Sequence, residues 1–256
     1  MTSPDRARSR EDLGWLRHRR VRPAPARPVP APPAPASRVP APPAPTLDLA
    51  PPGRPRETRR RVRPGTLPYP RVQPGTTVAL TAARPTVTLT RLQSGVGQLR
   101  LALARGADAG DMAAGLVCQT VDGATHVVQR LGDALATPAA PLPMVRLVAE
   151  AGLDTVLIDL RQVGRLRRAL LYGYSPGVAV LSWDGVVVAT LHDGSRIEAP
   201  FDLPPLSGTV ALLTVYAVQG ELVLRSELEA FAGPPEMAAQ AYGYRYGWLG
   251  RRLPTP

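Results

Sequence analysis

Proline placement limits what this chain can fold into. Of its 31 prolines, 18 precede residue 71, and the other 13 are spread over the last 186 residues. Proline fixes φ and lacks a backbone donor, so a segment this dense in it cannot run as a helix or a central strand. Residues 21–52 are low in complexity, and VPAPPAP occurs at Val29–Pro35 and again at Val39–Pro45. Alternating Pro and Ala has no packable face and prefers the extended, solvated polyproline II helix. At ~3.1 Å per residue, such a stretch reaches on the order of 100 Å. Disorder in isolation is expected, with the repeat serving as a stiff spacer or as a ligand for an aromatic groove in a partner protein.

Charge divides the chain at nearly the same place. All 31 basic residues are arginine. Residues 1–73 carry 16 Arg against 5 acids, whereas residues 74–256 carry 15 of each, so the formal +11 belongs to the N-terminal segment. Arg17, Arg19, Arg20 and Arg22 form one cluster, beside Trp15 and His18; Arg54, Arg56, Arg59, Arg60, Arg61 and Arg63 form another. Clustered guanidinium groups bind phosphates bidentately and release condensed counterions. The implied partners are nucleic acid or an anionic membrane surface. A polyproline arm offers no rigid element to read base edges, so binding would be indifferent to sequence.

Composition excludes other classes. One cysteine, Cys118, forbids an internal disulfide framework and a cysteine-based zinc site. No apolar run approaches the roughly 18 residues of a spanning helix. The N-terminus MTSPDRARSREDLGWLRHRR has no apolar stretch of the secretory kind, and a cytoplasmic location is expected. Aromatic residues are only 5% of the chain, so its core must be mostly Val, Leu and Ala.

After Pro74 the pattern changes to period two and short runs. Strands are predicted over Thr76–Thr81, Thr86–Leu92, Leu99–Ala104, Met112–Val121 and Thr125–Gln129, with Asp122-Gly123 turning the last pair into a hairpin. Thr155–Leu160 and Arg165–Tyr172 read as a second hairpin through Arg161–Gly164. Trp183-Asp184-Gly185 reads as a turn between Val178–Leu181 and Val186–Leu191, and His192-Asp193-Gly194 as one before Arg196–Phe201. Gln219-Gly220 turns Val210–Val218, apolar on both faces, into Glu221–Ala230, apolar on one. Pro235–Ala241 has proline at its start, an early acid and Gly243 behind it, the marks of a short helix. The expectation is all-β: an antiparallel β-sandwich of short strands over residues 74–250 with one short C-terminal helix, preceded by a disordered basic tail over 1–73 and followed by a short tail over 251–256.

Few residues suggest chemistry. Gly173-Tyr174-Ser175-Pro176-Gly177 spells the nucleophile-elbow pattern G-x-S-x-G. An elbow needs a helix after the serine and a backbone N–H on the next residue. A predicted strand and Pro176 deny it both, so Ser-Pro-Gly reads as a turn and no catalytic residue is assigned. Cys118 alternates with Met112, Ala114 and Leu116, as a buried structural thiol does. Gly95-Val96-Gly97 lacks the third glycine of a phosphate loop. Tyr242, Tyr244, Tyr246 and Trp248 would share one face of a strand, where they would plug the core rather than stack on bases.

The order of motifs resembles the TerD/TerA family of tellurite-resistance and stress-response proteins. Pro74–Leu80 looks like the family's opening strand, and Asp111–Gly123 has the length and ends of its D-L-D-A-S hairpin. Asp154–Leu160 with Arg165–Tyr174 resembles its paired strands. Phe231–Trp248 is similar to the TerA-type ending, in which G-x-x-E-M leads to aromatic-glycine repeats. The resemblance spans residues 74–250 and implies a β-sandwich without catalysis, able to associate with other stress-response proteins. It also implies a calcium site in acidic loops at one end. Asp111 and Asp122 keep their places, but Ala113 replaces the second acid, and LGDALATPAAPLPM offers only Asp133. Calcium wants six to eight oxygen ligands, for which Asp108, Asp111, Asp122 and Asp133 are too few, so the site implied at Asp111, Asp122 and Asp133 is weakened or lost, and no other cofactor is expected. The functional expectation is a non-enzymatic stress-response binding domain with a basic tail for polyanion or partner association. The alternatives are a hydrolase using Ser175 and a tail-mediated protein adaptor.

Overall fold

Two six-stranded sheets pack face to face in the computed structural model, which describes residues 67–245 except 107–108, 139–141, 151 and 177–178. The first sheet runs β1 (Thr77–Ala79), β10 (Arg196–Leu206), β9 (Leu181–Thr190), β3 (Gln98–Arg105), β7 (Leu153–Asp159), β6 (Val145–Glu150). The second runs β2 (Thr86–Thr88), β12 (Glu221–Phe231), β11 (Thr209–Val218), β8 (Leu166–Tyr174), β4 (Ala113–Thr120), β5 (Thr125–Gln129). Every pairing is antiparallel except β1 with β10. The predicted all-β sandwich is therefore the fold, and the helix expected at Pro235–Ala241 is α2. Among the described residues no helix is long and apolar enough to cross a membrane.

Alternation sets the faces. Leu99, Leu101 and Leu103 of β3 point into the shared core, while Arg100 between them is exposed. β11 is buried along most of its length on both faces. Its outer side is roofed by α2, whose Ala238 and Ala239 are fully buried, and by Tyr242 and Tyr244 just beyond. Arg168 of β8 pins this roof. Its guanidinium donates to the carbonyls of Tyr242 at 2.6 Å and Gly243 at 2.8 Å, and its carbon lies 4.1 Å over the Tyr244 ring. Burial lowers the Arg168 pKa and raises that of Tyr244. The predicted aromatic strand is thus a helix C-cap and an irregular plug over the outer face; Tyr246 and Trp248 lie outside the described residues. Leu67, Tyr69 and Arg71 cover Val223 and Glu221, so the first half of β12 is covered on both faces rather than half-exposed.

Three sequence expectations fail for identifiable reasons. β7 and β8 are not a hairpin: they lie in different sheets, joined by a 3-10 helix over Leu160–Arg165 that carries the chain across. Asp184-Gly185 is not a turn but the interior of β9, paired with β10 and β3. Gly185 is needed there because a Cβ would stand 2.4 Å from the Ala104 carbonyl oxygen. The run Thr86–Leu92 is cut at Thr88, and α1 (Arg91–Gly95) follows. Thr90 and Gln93 form a reciprocal capping box there, the Gln93 backbone N–H donating to the Thr90 hydroxyl and the Gln93 side-chain Oε1 accepting the Thr90 N–H.

The two ends of the sandwich differ. One end gathers α1, the 3-10 helix and the β4–β5, β9–β10 and β11–β12 turns. Gln93, only 1% exposed, donates from Nε2 to Asp193 Oδ2 at 2.9 Å and to Ser195 Oγ at 3.0 Å. Ser195 Oγ accepts the Gly75 N–H, and Ser94 Oγ accepts the Leu222 N–H. The other end carries the β3–β4, β8–β9 and β10–β11 crossovers and the β6–β7 turn.

Edges are covered by irregular chain. Pro70 and Val72 bond both backbone groups of Thr88 on β2, and Ala134–Thr137 bridges Gln129 of β5 to β6. Val72 is fully buried, Leu67 and Tyr69 pack on Tyr216 and Val223, and Arg71 forms a two-pronged ion pair with Glu221 at 2.9 and 3.1 Å. Residues 67–73, assigned by the sequence to the tail, are part of the fold; the boundary moves from residue 74 back to at least Leu67.

Candidate functional site: a polar cavity at the crossover end

A cavity of about 440 Å³ opens at the crossover end, lined by Arg105, Asp111, Met112, Ala113, Arg130, Leu131, Gly152, Asp154, Tyr174 and Pro176. That lies within the usual 300–1,000 Å³ range of small-ligand pockets. Local structure places each charged group. Arg105 ends β3 and Tyr174 ends β8. Arg130 follows β5 in a turn closed by the Asp133 N–H on the Arg130 carbonyl, with Asp133 at φ +57°. Asp154 stands near the start of β7 and joins the two sheets: Oδ2 accepts the Ala114 N–H of β4 at 2.9 Å, while Oδ1 accepts Arg130 Nε at 2.8 Å and Nη2 at 2.6 Å. Tyr174, 2% exposed, accepts the Leu131 N–H at its hydroxyl oxygen, and burial raises its pKa, keeping the hydroxyl a donor. Arg105 Nη1 donates to the Gly110 carbonyl at 3.2 Å and approaches Asp111 at 3.4 Å.

The expected calcium ligands are not brought together. Asp111 and Asp122 flank β4 at opposite ends; eight residues at ~3.3 Å each place them about 26 Å apart. Asp122 caps its own hairpin, accepting the Thr120 hydroxyl and the Ala124 N–H, and the Thr120 bond is the main cause of its lowered pKa. Asp133 belongs to the turn after β5. The Asp154 carboxylate at the crossover end is already occupied by Arg130 and a backbone N–H. Among the described residues no three of His, Cys, Asp and Glu converge as a metal would need, and Asp108 is outside them. The donor set at Asp111, Asp122 and Asp133 does not fit calcium.

Ser175 has its N–H on the Gly208 carbonyl and its hydroxyl on the Ala179 carbonyl at 3.1 Å, and the next described element is strand β9, not a helix. Cys118 is fully buried in β4, and desolvation pushes its thiol up to about 12. The expected polyanion-binding arginines Arg17, Arg19, Arg20, Arg54, Arg56, Arg59, Arg60, Arg61 and Arg63 lie outside the described residues.

Sequence reasoning did not single out Arg105 or Arg130; it met Asp154 only at the start of a segment similar to TerD/TerA proteins, and Tyr174 at the end of another and as a spacer in the Gly173–Gly177 pattern. The hydrogen bonds that join Arg130, Asp154, Ala114, Leu131 and Tyr174 span 24 to 43 residues, so no local spacing announces that part of the site. Comparison with known proteins finds no matching family model, no matching curated protein and no matching solved structure. What fold and site define is a class: a two-sheet β-sandwich with a charged cavity at its crossover end.

Proposed function

We propose that this chain is a non-enzymatic binding protein of the TerD/TerA stress-response type, whose basic N-terminal arm associates with polyanions in the cytoplasm. The observation that carries the reading is the separation of charge from fold. Residues 1–66 hold 15 Arg against 5 acids, and residues 67–256 hold 16 against 15. The surroundings of Ser175 support binding over hydrolysis, since its hydroxyl is spent on a backbone carbonyl. The four segments similar to TerD/TerA proteins support the family assignment.

The arm holds ten arginines in its two clusters. If about six reach phosphates together, the logarithmic salt slope is about −5, roughly a thousandfold loss of affinity between 50 and 200 mM salt. The test compares full-length protein with a variant carrying glutamine at all ten positions, against duplex DNA, RNA and phosphatidylserine vesicles. Retention of binding by the glutamine variant, or a flat salt profile, would refute the polyanion role. Stoichiometric fluorophosphonate labelling of Ser175 would refute the non-enzymatic one.

A further inference from the structure

We propose that the crossover-end cavity binds a small oxyanion, a carboxylate or phosphate group on a compact ligand, through Arg105, Arg130 and the Tyr174 hydroxyl. The argument is an inventory of what the cavity has left to offer. On the acceptor side little remains: Asp154 spends one oxygen on Arg130 and the other on the Ala114 N–H, and the Asp111 side chain is 93% exposed to water. On the donor side much remains. A guanidinium has five N–H donors. Arg130 directs Nε and Nη2 at Asp154, and its Nη1 has no partner among the described residues. Among the described residues Arg105 bonds through Nη1 alone. Tyr174 accepts the Leu131 N–H, but its own O–H proton meets no acceptor among the described residues, although the residue is almost wholly buried. A buried donor of this kind is stabilised by a partner, and it shares one cavity with the partly exposed guanidinium groups of Arg105 and Arg130.

The complementary group is an acceptor carrying negative charge. Two guanidinium groups oppose a divalent cation at the same place. Met112, Ala113, Leu131 and Pro176 provide apolar wall for a short carbon skeleton. At about 440 Å³ the cavity takes a small molecule, not a polymer, so this site is independent of the polyanion role of the arm.

Methionine provides a local probe. Met112 lines the cavity, Met144 is in the core, and Met237 is on α2. Full-length protein labelled with 13C-methyl methionine is titrated with potassium acetate and potassium phosphate at ionic strength held constant with potassium chloride. The expected result is a saturable shift of the Met112 methyl with Met144 and Met237 unmoved. Affinity should fall about tenfold in both Arg105→Gln and Tyr174→Phe, as loss of a hydrogen bond to a charged group predicts. The Met144 and Met237 signals confirm that each variant is folded. Saturation by acetate alone assigns a carboxylate ligand, and saturation by phosphate alone a phosphate group. No saturable shift with either anion, equal affinity in folded Arg105→Gln, or a saturable response to calcium chloride instead would overturn the proposal.

Discussion

At the turn end of the sandwich, buried neutral side chains bond to backbone, to one another and to Asp193; at the crossover end, charged side chains face a cavity. Gln93, Ser94 and Ser195 are essentially unexposed, and their hydrogen bonds tie α1, the β9–β10 turn, Gly75 and β12 into one unit. Arg130 and Arg105 keep about half and a third of their side-chain surface in water. The first arrangement is built to hold and the second to remain available. Buried polar groups with every bond made are costly to disturb, whereas half-exposed ion pairs contribute about 1 kcal/mol or less.

That contrast can be broken by mutation. Gln93→Leu should have the largest effect. It removes the acceptor of the Thr90 N–H and the donor to Asp193 and Ser195, leaving buried polar groups unmatched. A loss of about 3 kcal/mol is expected by urea unfolding with an unchanged m value; a loss below about 1 kcal/mol would show that the turn end is not the rigid one. Arg130→Met should cost about 1 kcal/mol, because Asp154 keeps its Ala114 N–H. Arg105→Gln should stay within about 0.5 kcal/mol, as a surface change does.

Cys118 sharpens the comparison without unfolding the protein. Its thiol is buried and held near pKa 12, so alkylation at pH 8 requires opening of the sandwich. Gln93→Leu should accelerate labelling and Arg105→Gln should leave the rate unchanged; equal rates would remove the distinction between the ends.

One further expected effect depends on pH. The Arg161 guanidinium, bonded to Asp159 at 2.9 Å, is the main reason the Asp159 carboxyl lies at about 2. A depressed folded-state pKa contributes stability that is complete above the unfolded value near ~3.9 and is lost as pH falls toward the folded one. Between pH 4 and pH 2 the native protein should therefore lose more stability than Asp159→Asn. Parallel pH profiles would show that the pair contributes nothing.

The sandwich was legible where local pattern and fold agree, as at Gln219-Gly220, where both residues take positive φ and join two apolar strands. It was misread where a turn signal serves a tertiary need. Asp122-Gly123 turns a hairpin, but Asp184-Gly185 continues a strand, because what demands glycine there is the Ala104 carbonyl of a strand some eighty residues away in sequence. The helix capped by Thr90 and Gln93 reads in the sequence as the end of a strand, because five residues of helix leave no periodicity to find. Of the candidate site, the sequence offered acids near one hairpin, and β4 separates them by its own length. Arg130 and Tyr174 meet only because β5, β4 and β8 lie side by side in one sheet.

The chain leading into the fold has a second consequence. Residues 67–72 end the arm and also close the raw edge of β2, occupying the Thr88 backbone groups and shielding Tyr216 and Val223. Where the arm is severed therefore decides what is left behind. A cut upstream of Leu67 releases the arm and leaves the edge sealed. A cut a few residues later leaves an unpaired strand beside exposed apolar side chains, a template for another chain. Light scattering should rise with time for a chain that begins at Gln73 and stay flat for one that begins at Thr66. On this reading the few residues between arm and fold act as a guard against self-templating, and the arm can be lost safely only if they stay behind.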